Sequence, residues 1–238
     1  MDAPIAVIDF GSQFTQLIVR RIRELGFFAK LYRPEDLARI GDVQLVVLSG
    51  GPRSVTDADA PDIDFEFLRG LRVPVLGVCY GMQLLNLKFG GDVKKSTTSE
   101  YGPSTLIPEG ESCLTAGLSR ESQIWMSHSD SVGNLPDGAR VVGRNQEGQP
   151  VAMEWPDRFF GIQFHPEVSH SHEGLPLLKN FLSLATDLPP FEIGSFRDHL
   201  IETIREEVAG REVVCGVSGG VDSTVLAVLL KSAGVRVR

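Results

Sequence analysis

The chain is poor in the features that mark several large classes of protein. It holds only three cysteines, Cys79, Cys113 and Cys215, without a Cys-x-x-Cys pair, so neither a disulfide framework nor a zinc knuckle is indicated. The 23 lysines and arginines are outnumbered by 31 aspartates and glutamates, and no basic block argues for a general nucleic-acid surface. No apolar run approaches the ~20 residues that cross a bilayer. We expect a cytoplasmic protein that is neither exported nor inserted in a membrane.

What the sequence does contain is enough apolar material for a large core, arranged in alternating patterns. Of 238 residues, 42% are hydrophobic, which suits one large domain or one and a half. The first third alternates apolar runs with helical stripes: strands over 4–10, 27–32, 43–48 and 73–76, and helices over 14–25 and 63–71. Such alternation predicts right-handed crossovers and a parallel sheet, with functional groups where the strands end.

The remainder divides into an extension of this sheet and a second domain. Residues 93–163 carry short strand patterns separated by turn signals, which predicts antiparallel strands. Pro189 and Pro190 mark a boundary, because paired prolines cannot continue a helix. The predicted fold is therefore α/β, with a mostly parallel central sheet, flanking helices and an antiparallel extension in residues 1–188. A truncated α/β fragment follows in residues 189–238, with a strand over 212–217 and a helix over 224–232.

Cys79 is the foremost candidate for a catalytic residue. It lies in Gly77-Val-Cys-Tyr-Gly81, between an apolar run and a helical pattern, and so on a sharp strand-to-helix turn. Helix N-termini favour a thiolate and, later in a reaction, an oxyanion. The alternative is a small buried core cysteine, which is the commoner fate of an intracellular thiol.

A second strand ends in a possible partner for this thiol. The apolar run 159–164 leads into His165-Pro-Glu167, and side chains two apart on an extended chain point the same way. Glu167 can then hold one ring nitrogen of His165 and leave the other for a thiol, the nucleophile, base and orienter arrangement of covalent catalysis. A lone histidine would more often be structural, but this pair is harder to explain as packing.

Three further segments have polar or glycine-rich patterns. The loop Ser49-Gly-Gly-Pro52 ends a strand, and its N–H groups, with that of Tyr80, could face an oxyanion on Cys79. The polar run 125–130 is expected on a loop after a strand, where it could bind the charged end of a small substrate.

Ser218-Gly-Gly-Val-Asp-Ser223, between a strand and a helix, makes a phosphate cradle without the lysine of a Walker loop. Ordinary turns are the alternative for both glycine-rich segments. His170 and His172 lack a third spaced ligand, so we expect no metal.

Together these motifs resemble the class I, or triad-type, glutamine amidotransferases. The resemblance covers almost all of residues 1–188 and rests on Gly-Val-Cys-Tyr-Gly-Met-Gln, Ser-Gly-Gly-Pro, Glu-Tyr-Gly at 100–102, Met-Ser-His-Ser-Asp and Phe-His-Pro-Glu-Val. It implies that Cys79 attacks the carboxamide of glutamine, His165 shuttles protons and Glu167 orients it. It also implies oxyanion-hole amides at Gly51 and Tyr80, and a glutamine pocket lined by Gln83, Ser127, Ser129 and Asp130. No cofactor is needed for this step.

The second domain resembles a different family. Its hexapeptide is similar to the phosphate loop of the N-type ATP pyrophosphatases, and the order of the two domains resembles the glutamine-hydrolysing GMP synthase family. The resemblance implies ATP and Mg²⁺ as cofactors, bound by Ser218, Gly219, Gly220, Val221, Asp222 and Ser223 during adenylation of xanthosine monophosphate (XMP). It also implies a homodimer at full length. The rest of the ATP site, the nucleotide site and the dimerisation domain of that family are not in this sequence.

Two other functions remain open at this point. One is a stand-alone cysteine hydrolase acting on γ-glutamyl peptides, against which the 218–223 loop argues. The other is a non-catalytic module that senses glutamine, against which the Cys79, His165 and Glu167 set argues.

Overall fold

A computed structural model describes residues 3–238, apart from the side chains of 96–99 and 195. The residues up to Pro190 form one compact unit and Phe191–Arg238 form another. The division lies at the second of the two prolines that suggested a boundary.

One side of the central sheet is parallel. It contains β1 (Ile5–Ile8), β2 (Ala29–Tyr32), β3 (Leu45–Leu48), β4 (Val75–Val78) and β9 (Phe159–Ile162), in the order β2-β1-β3-β4-β9. Helices α1 (Thr15–Glu24), α2 (Phe65–Gly70), α3 (Tyr80–Lys88) and α4 (Gly174–Leu182) accompany these strands, with a 3₁₀ helix at Pro34–Arg39. Parallel pairing places the carboxyl ends of β4 and β9 side by side, with Val78 opposite Ile162.

The other side of the sheet is antiparallel. It contains β5 (Val93–Pro108), β6 (Ser122–Val132), β7 (Arg140–Arg144) and β8 (Pro150–Trp155), and a 3₁₀ turn at Pro156–Arg158 joins β8 to β9. The sheet continues from β9 in the order β8-β7-β5-β6. Within the described residues, four parallel pairings are thus followed by four antiparallel ones. The mixed α/β fold is as predicted, but the antiparallel extension is as large as the parallel part, because β5 and β6 are long.

The core lies on both faces of the parallel strands. Alternate residues of one strand enter different clusters: Ile5 and Val7 pack with α1 and α4, whereas Ala6 and Ile8 pack with α2 and α3. Strands covered on both faces are apolar at every position, which is why these runs are continuous in the sequence. The helices thus leave the strand ends as the place for polar side chains.

The second unit is small. It contains α5 (Ile193–Val208), β10 (Glu212–Val213), α6 (Val221–Ser232) and β11 (Arg236–Val237), with β10 and β11 paired in parallel. The strand expected over 212–217 is shorter than predicted, because β11 offers it only two partner residues. No helix in the described part of the chain is long and apolar enough to span a membrane.

Candidate active site

Cys79 occupies a strained turn between β4 and α3. Its backbone has φ +51° and ψ −103°, a conformation that costs a non-glycine residue on the order of 1–3 kcal/mol and is concentrated at functional sites. Packing holds the turn: a Cβ on Gly77 would lie 2.5 Å from the backbone of Gly81, and one on Gly81 would lie 2.5 Å from the Leu48 carbonyl oxygen. The Cys79 amide donates to Ile162 at 2.7 Å, which ties the turn to β9.

His165 and Glu167 meet as the sequence predicts. The His165 Nδ1 lies 2.7 Å from Glu167 Oε1, and both side chains are buried. With a carboxylate accepting at Nδ1, that nitrogen carries the proton, and Nε2 is left for another partner. Arg21 on α1 donates through Nε to the Glu167 carbonyl at 2.8 Å and so anchors the segment after β9.

The electrostatics of the His165 imidazole also involve the Cys79 thiol. Burial by itself lowers the pKa of His165, but hydrogen bonds to Cys79 and to Glu167 outweigh it and raise the pKa to about 10. The ring is therefore cationic at neutral pH. A cationic imidazole beside a sulfur at a helix N-terminus is the setting in which cysteines act as nucleophiles.

A cavity of about 500 Å³ opens beside these groups. That volume lies in the range of small-molecule sites. Its lining includes Cys79 and His165, together with the six residues to which the resemblance gave an oxyanion or glutamine-binding role: Gly51, Tyr80, Gln83, Ser127, Ser129 and Asp130. The fold thus brings these residues together at one site, while their individual roles stay predictions.

Two backbone amides in the cavity wall are available to a ligand. Within the described residues, neither the Gly51 nor the Tyr80 N–H has a hydrogen-bond acceptor. A Cβ on Gly51 would lie 3.1 Å from both the Phe10 carbonyl oxygen and the Tyr80 ring, so the loop is pressed against the start of α3. Free N–H groups in such a place suit an oxyanion.

The polar run expected on a loop lies instead inside β6. Pairing with β5 makes residues 122–132 one strand, in which apolar side chains such as Ile124 and Met126 are buried on alternate positions. The loop prediction was therefore wrong, because the alternation was obscured by the polar residues. The Ser127 carbonyl oxygen lies 3.7 Å from Cys79 Sγ, and the Ser129 hydroxyl lies 3.1 Å from that of Tyr101.

Gln83 is held in place by its own amide group. Its Nε2 donates to the Asp130 carbonyl oxygen at 2.8 Å and to Gln163 Oε1 at 3.2 Å, and the side chain is almost fully buried. Gln83 thus joins α3 to β6 as well as lining the cavity.

The cavity also contains residues to which the sequence gave no role. Tyr101 and His128 belong to motifs singled out above, yet only the fold places them in the wall. His128 Nδ1 lies 2.7 Å from the Asp130 carbonyl oxygen, and burial lowers the pKa of His128, which keeps its ring neutral. Residues 11–14 and 52–54 complete the wall. Their position after β1 and β3, at the same sheet edge as Cys79, is the signal that could have identified them.

The glycine-rich loop of the second unit is exposed. The Ser218 and Ser223 hydroxyls lie 3.2 Å apart, and Val221 and Asp222 begin α6. Ser218, Gly219, Gly220, Val221 and Asp222 are open to solvent, so the N-terminus of α6 is accessible. Among the described residues, no group of three or more histidine, cysteine, aspartate or glutamate side chains is arranged to hold a metal ion.

The chain is a mixed α/β protein in which a cysteine, a histidine and a glutamate lie where two neighbouring strands of the sheet end. Residues 6–185 match the family described as glutamine amidotransferase class-I, and the chain belongs to this family. It is thus a glutamine amidotransferase domain, with glutamine as its amide donor.

Known proteins similar to this chain include curated enzymes named glutamine-hydrolysing GMP synthase. The one from Natranaerobius thermophilus is 43% identical over 235 residues, which are 96% of this chain and 46% of that protein. The one from Thermus thermophilus is 46% identical over 238 residues, 97% of this chain and 46% of that protein. The chain therefore spans about half the length of these relatives.

Solved structures agree with the fold. A Thermoplasma acidophilum protein provisionally described as a GMP synthase subunit matches with a TM-score of 0.69 and 27% identity, over 84% of this chain and 98% of that chain. A Thermotoga maritima glutamine amidotransferase matches with a TM-score of 0.57 and 20% identity, over 98% of this chain and 96% of that chain, and this likeness concerns the fold alone.

Proposed function

We propose that this chain is the glutamine-hydrolysing part of a GMP synthase. Its ammonia would serve the ATP-dependent amination of XMP to GMP. The observation that best supports glutamine hydrolysis is the hydrogen-bonded pair of His165 and Glu167. This pair lies with Cys79 beside a cavity of suitable size, and Cys79 helps to raise the pKa of His165. The similarity to curated GMP synthases over nearly the whole chain supports XMP as the molecule that accepts the ammonia.

The geometry supports a two-step hydrolysis. The Cys79 sulfur attacks the carboxamide carbon of glutamine, and the oxygen that gains charge is received by the N–H groups of Gly51 and Tyr80. The imidazolium of His165 gives its proton to the nitrogen, so that the C–N bond breaks and ammonia leaves a glutamyl thioester. His165 then takes a proton from water as the water attacks the thioester, and the C–S bond breaks to release glutamate, which restores the His165 imidazolium and the Cys79 thiolate with which the cycle began. Glu167 keeps the imidazole oriented throughout.

For the second unit, we propose the ATP-binding role that its loop suggests. Ser218 to Ser223 would hold the pyrophosphate of ATP with Mg²⁺, because exposed N–H groups at the start of α6 and serine hydroxyls suit phosphate oxygens. XMP binding and homodimer formation are proposed for a polypeptide of the full length of the relatives. A cytoplasmic location suits the three cysteines, all of which are unpaired.

The test begins with glutamine alone. The chain should release glutamate and ammonia from glutamine, and mass spectrometry after acid quenching should find a glutamyl adduct on Cys79. A chain without turnover or adduct would contradict the hydrolytic role. For the acceptor, a polypeptide of the relatives' full length should form GMP from XMP, ATP and glutamine, and the loss of this product in Asp222→Ala would support the phosphate-loop assignment.

The same assays separate the alternatives. Preference for γ-glutamyl peptides over glutamine would favour a peptide hydrolase. Binding of glutamine without turnover, unchanged in Cys79→Ala, would favour a sensing module.

A further inference from the structure

Asp130 is the one carboxylate among the described residues that line the active-site cavity. Its side chain is 7% exposed, so its charge is largely removed from water. The Oδ2 atom accepts a hydrogen bond from the Ser54 hydroxyl. In the described part of the chain, no other hydrogen bond or ion pair reaches the carboxylate, and Oδ1 has no partner. A largely buried carboxylate with one open oxygen attracts a cationic ligand.

The neighbouring cations are held by other carboxylates. Arg53, in the same wall, pairs with Asp59, and the Lys95 Nζ lies 3.4 Å from Asp57 Oδ1 although Lys95 is the β5 partner of Asp130. The charge of Asp130 is thus not neutralised by the cations closest to it along the chain and the sheet. The α-ammonium group of a free amino acid has the charge and the three donors to do so.

Ser54 donates to Asp130 while its hydroxyl oxygen also contacts Thr56 on its own loop. Its Oγ accepts from the Thr56 amide at 3.2 Å and lies 2.8 Å from the Thr56 hydroxyl, while its own amide donates to Asp57 Oδ2 at 3.2 Å. A carboxylate is a stronger acceptor than the Thr56 hydroxyl, so the Ser54 proton goes to Asp130, and the two Thr56 donors can face the lone pairs of Ser54 Oγ. The hydrogen bond therefore engages Oδ2 and leaves Oδ1 as the unpartnered oxygen of a residue that lines the cavity.

We propose that Ser54 is a positioning residue that makes the site selective for amides bearing a free α-amino group. It acts through Asp130 by directing the open Oδ1 at the α-ammonium of the substrate. The inference rests on the proposed glutamine site and adds to it a residue that sets specificity. It also links two parts of the site, because Ser54 follows Gly51 by three residues on the same loop.

The test compares glutamine with glutaramate, which is glutamine without its α-amino group. Calorimetric binding to Cys79→Ala avoids turnover and reports ground-state binding only. Adding Ser54→Ala should weaken glutamine binding about tenfold, because the carboxylate loses the hydrogen bond that orients it towards the α-ammonium group. Glutaramate binding should change less than about twofold, because the ligand lacks the group that Asp130 holds.

Two variants control the comparison. Ser54→Thr keeps the hydroxyl and should restore the preference for glutamine. Ser183→Ala removes a hydroxyl that donates to the Asn180 carbonyl on α4, away from the cavity. It should change the affinity for neither ligand. Equal weakening of both ligands by Ser54→Ala, or no effect on either, would overturn the inference while leaving the glutamine site intact. If Cys79→Ala bound neither ligand, the glutamine site itself would be wrong, and the inference with it.

Discussion

The chain contains two glycine-rich turns from a strand into a helix, and they differ in what holds them. The turn at Gly77–Gly81 is buried, its glycines are in close contact with backbone, and Cys79 takes a left-handed φ. The turn at Ser218–Ser223 is mostly exposed, and a Cβ on Gly220 would meet only the Ser218 hydroxyl, at an ordinary 3.5 Å. The two sequences look alike, yet only the first turn is constrained by its surroundings.

The difference matches the chemistry proposed for each turn. A nucleophile must keep one orientation relative to its base, and packing against β3 and β9 supplies that at Cys79. A phosphate loop has to admit a polyanion between backbone N–H groups, which requires accessible amides and not a crowded turn.

The largest expected difference between the two turns is in glutamine hydrolysis. Cys79→Ala should lower glutamine hydrolysis by at least about 10³-fold, because the nucleophile is removed. Asp222→Ala, on the exposed turn, should leave hydrolysis within about twofold. Ammonia release under saturating glutamine measures both. Similar losses of activity in the two variants would contradict the proposal that the Cys79 turn, and not the Ser218–Ser223 turn, takes part in glutamine hydrolysis.

The next effect concerns stability. Gly77→Ala should destabilise the first unit by about 3 kcal/mol or more, because the new Cβ would meet backbone that cannot move aside. Gly220→Ala should change the second unit by less than about 1 kcal/mol, since the added methyl has room and the residue needs no left-handed φ. Amide hydrogen exchange reports each unit separately. Similar losses would mean that both turns are equally constrained.

Because the pKa of His165 is raised, the free energy of unfolding of the first unit should depend on pH. Protonation of His165 is favoured in the folded state, so its stabilising contribution is complete below the unfolded pKa of about 6.5 and is lost as pH rises towards about 10. The stability advantage of the wild type over His165→Gln should therefore shrink by a few kcal/mol, on the order of 2–5, across this range. Urea unfolding followed by tryptophan fluorescence measures it. A constant difference would show that the ring is neutral in the folded protein.

The smallest expected effect compares the thiols near the two turns. Cys79 should react with iodoacetamide at pH 7 about tenfold faster than Cys215, because its sulfur lies at a helix N-terminus beside a cationic imidazole, the setting in which cysteines are reactive. Cys113 should also be slow, since desolvation and the nearby Glu154 raise its pKa. Peptide mapping after brief labelling gives the three rates. Faster labelling of Cys215 would indicate that the sulfur of Cys79 is shielded from the reagent and would contradict its role as the reactive nucleophile.

Much of the site was predictable because its residues lie where strands end. Cys79 and His165 follow apolar runs that read clearly as strands, and β4 and β9 are neighbours, so their ends meet. The two-residue spacing of His165 and Glu167 was also informative. The location of Ser127, Ser129 and Asp130 within β6 was not, since polar side chains facing a cavity remove the alternation that identifies a strand.

The sequence by itself determined the periodicity of the elements, the glycines that permit the turn and the identity of the reactive groups. These follow from local stereochemistry and from which side chains can be buried. Only the tertiary structure decided that β6 and the loop after β3 come together, which puts Ser54 against Asp130 across 76 positions of sequence. That approach depends on the pairing of β5 with β6 and of β3 with β4, and pairing between distant strands is a property of the whole sheet.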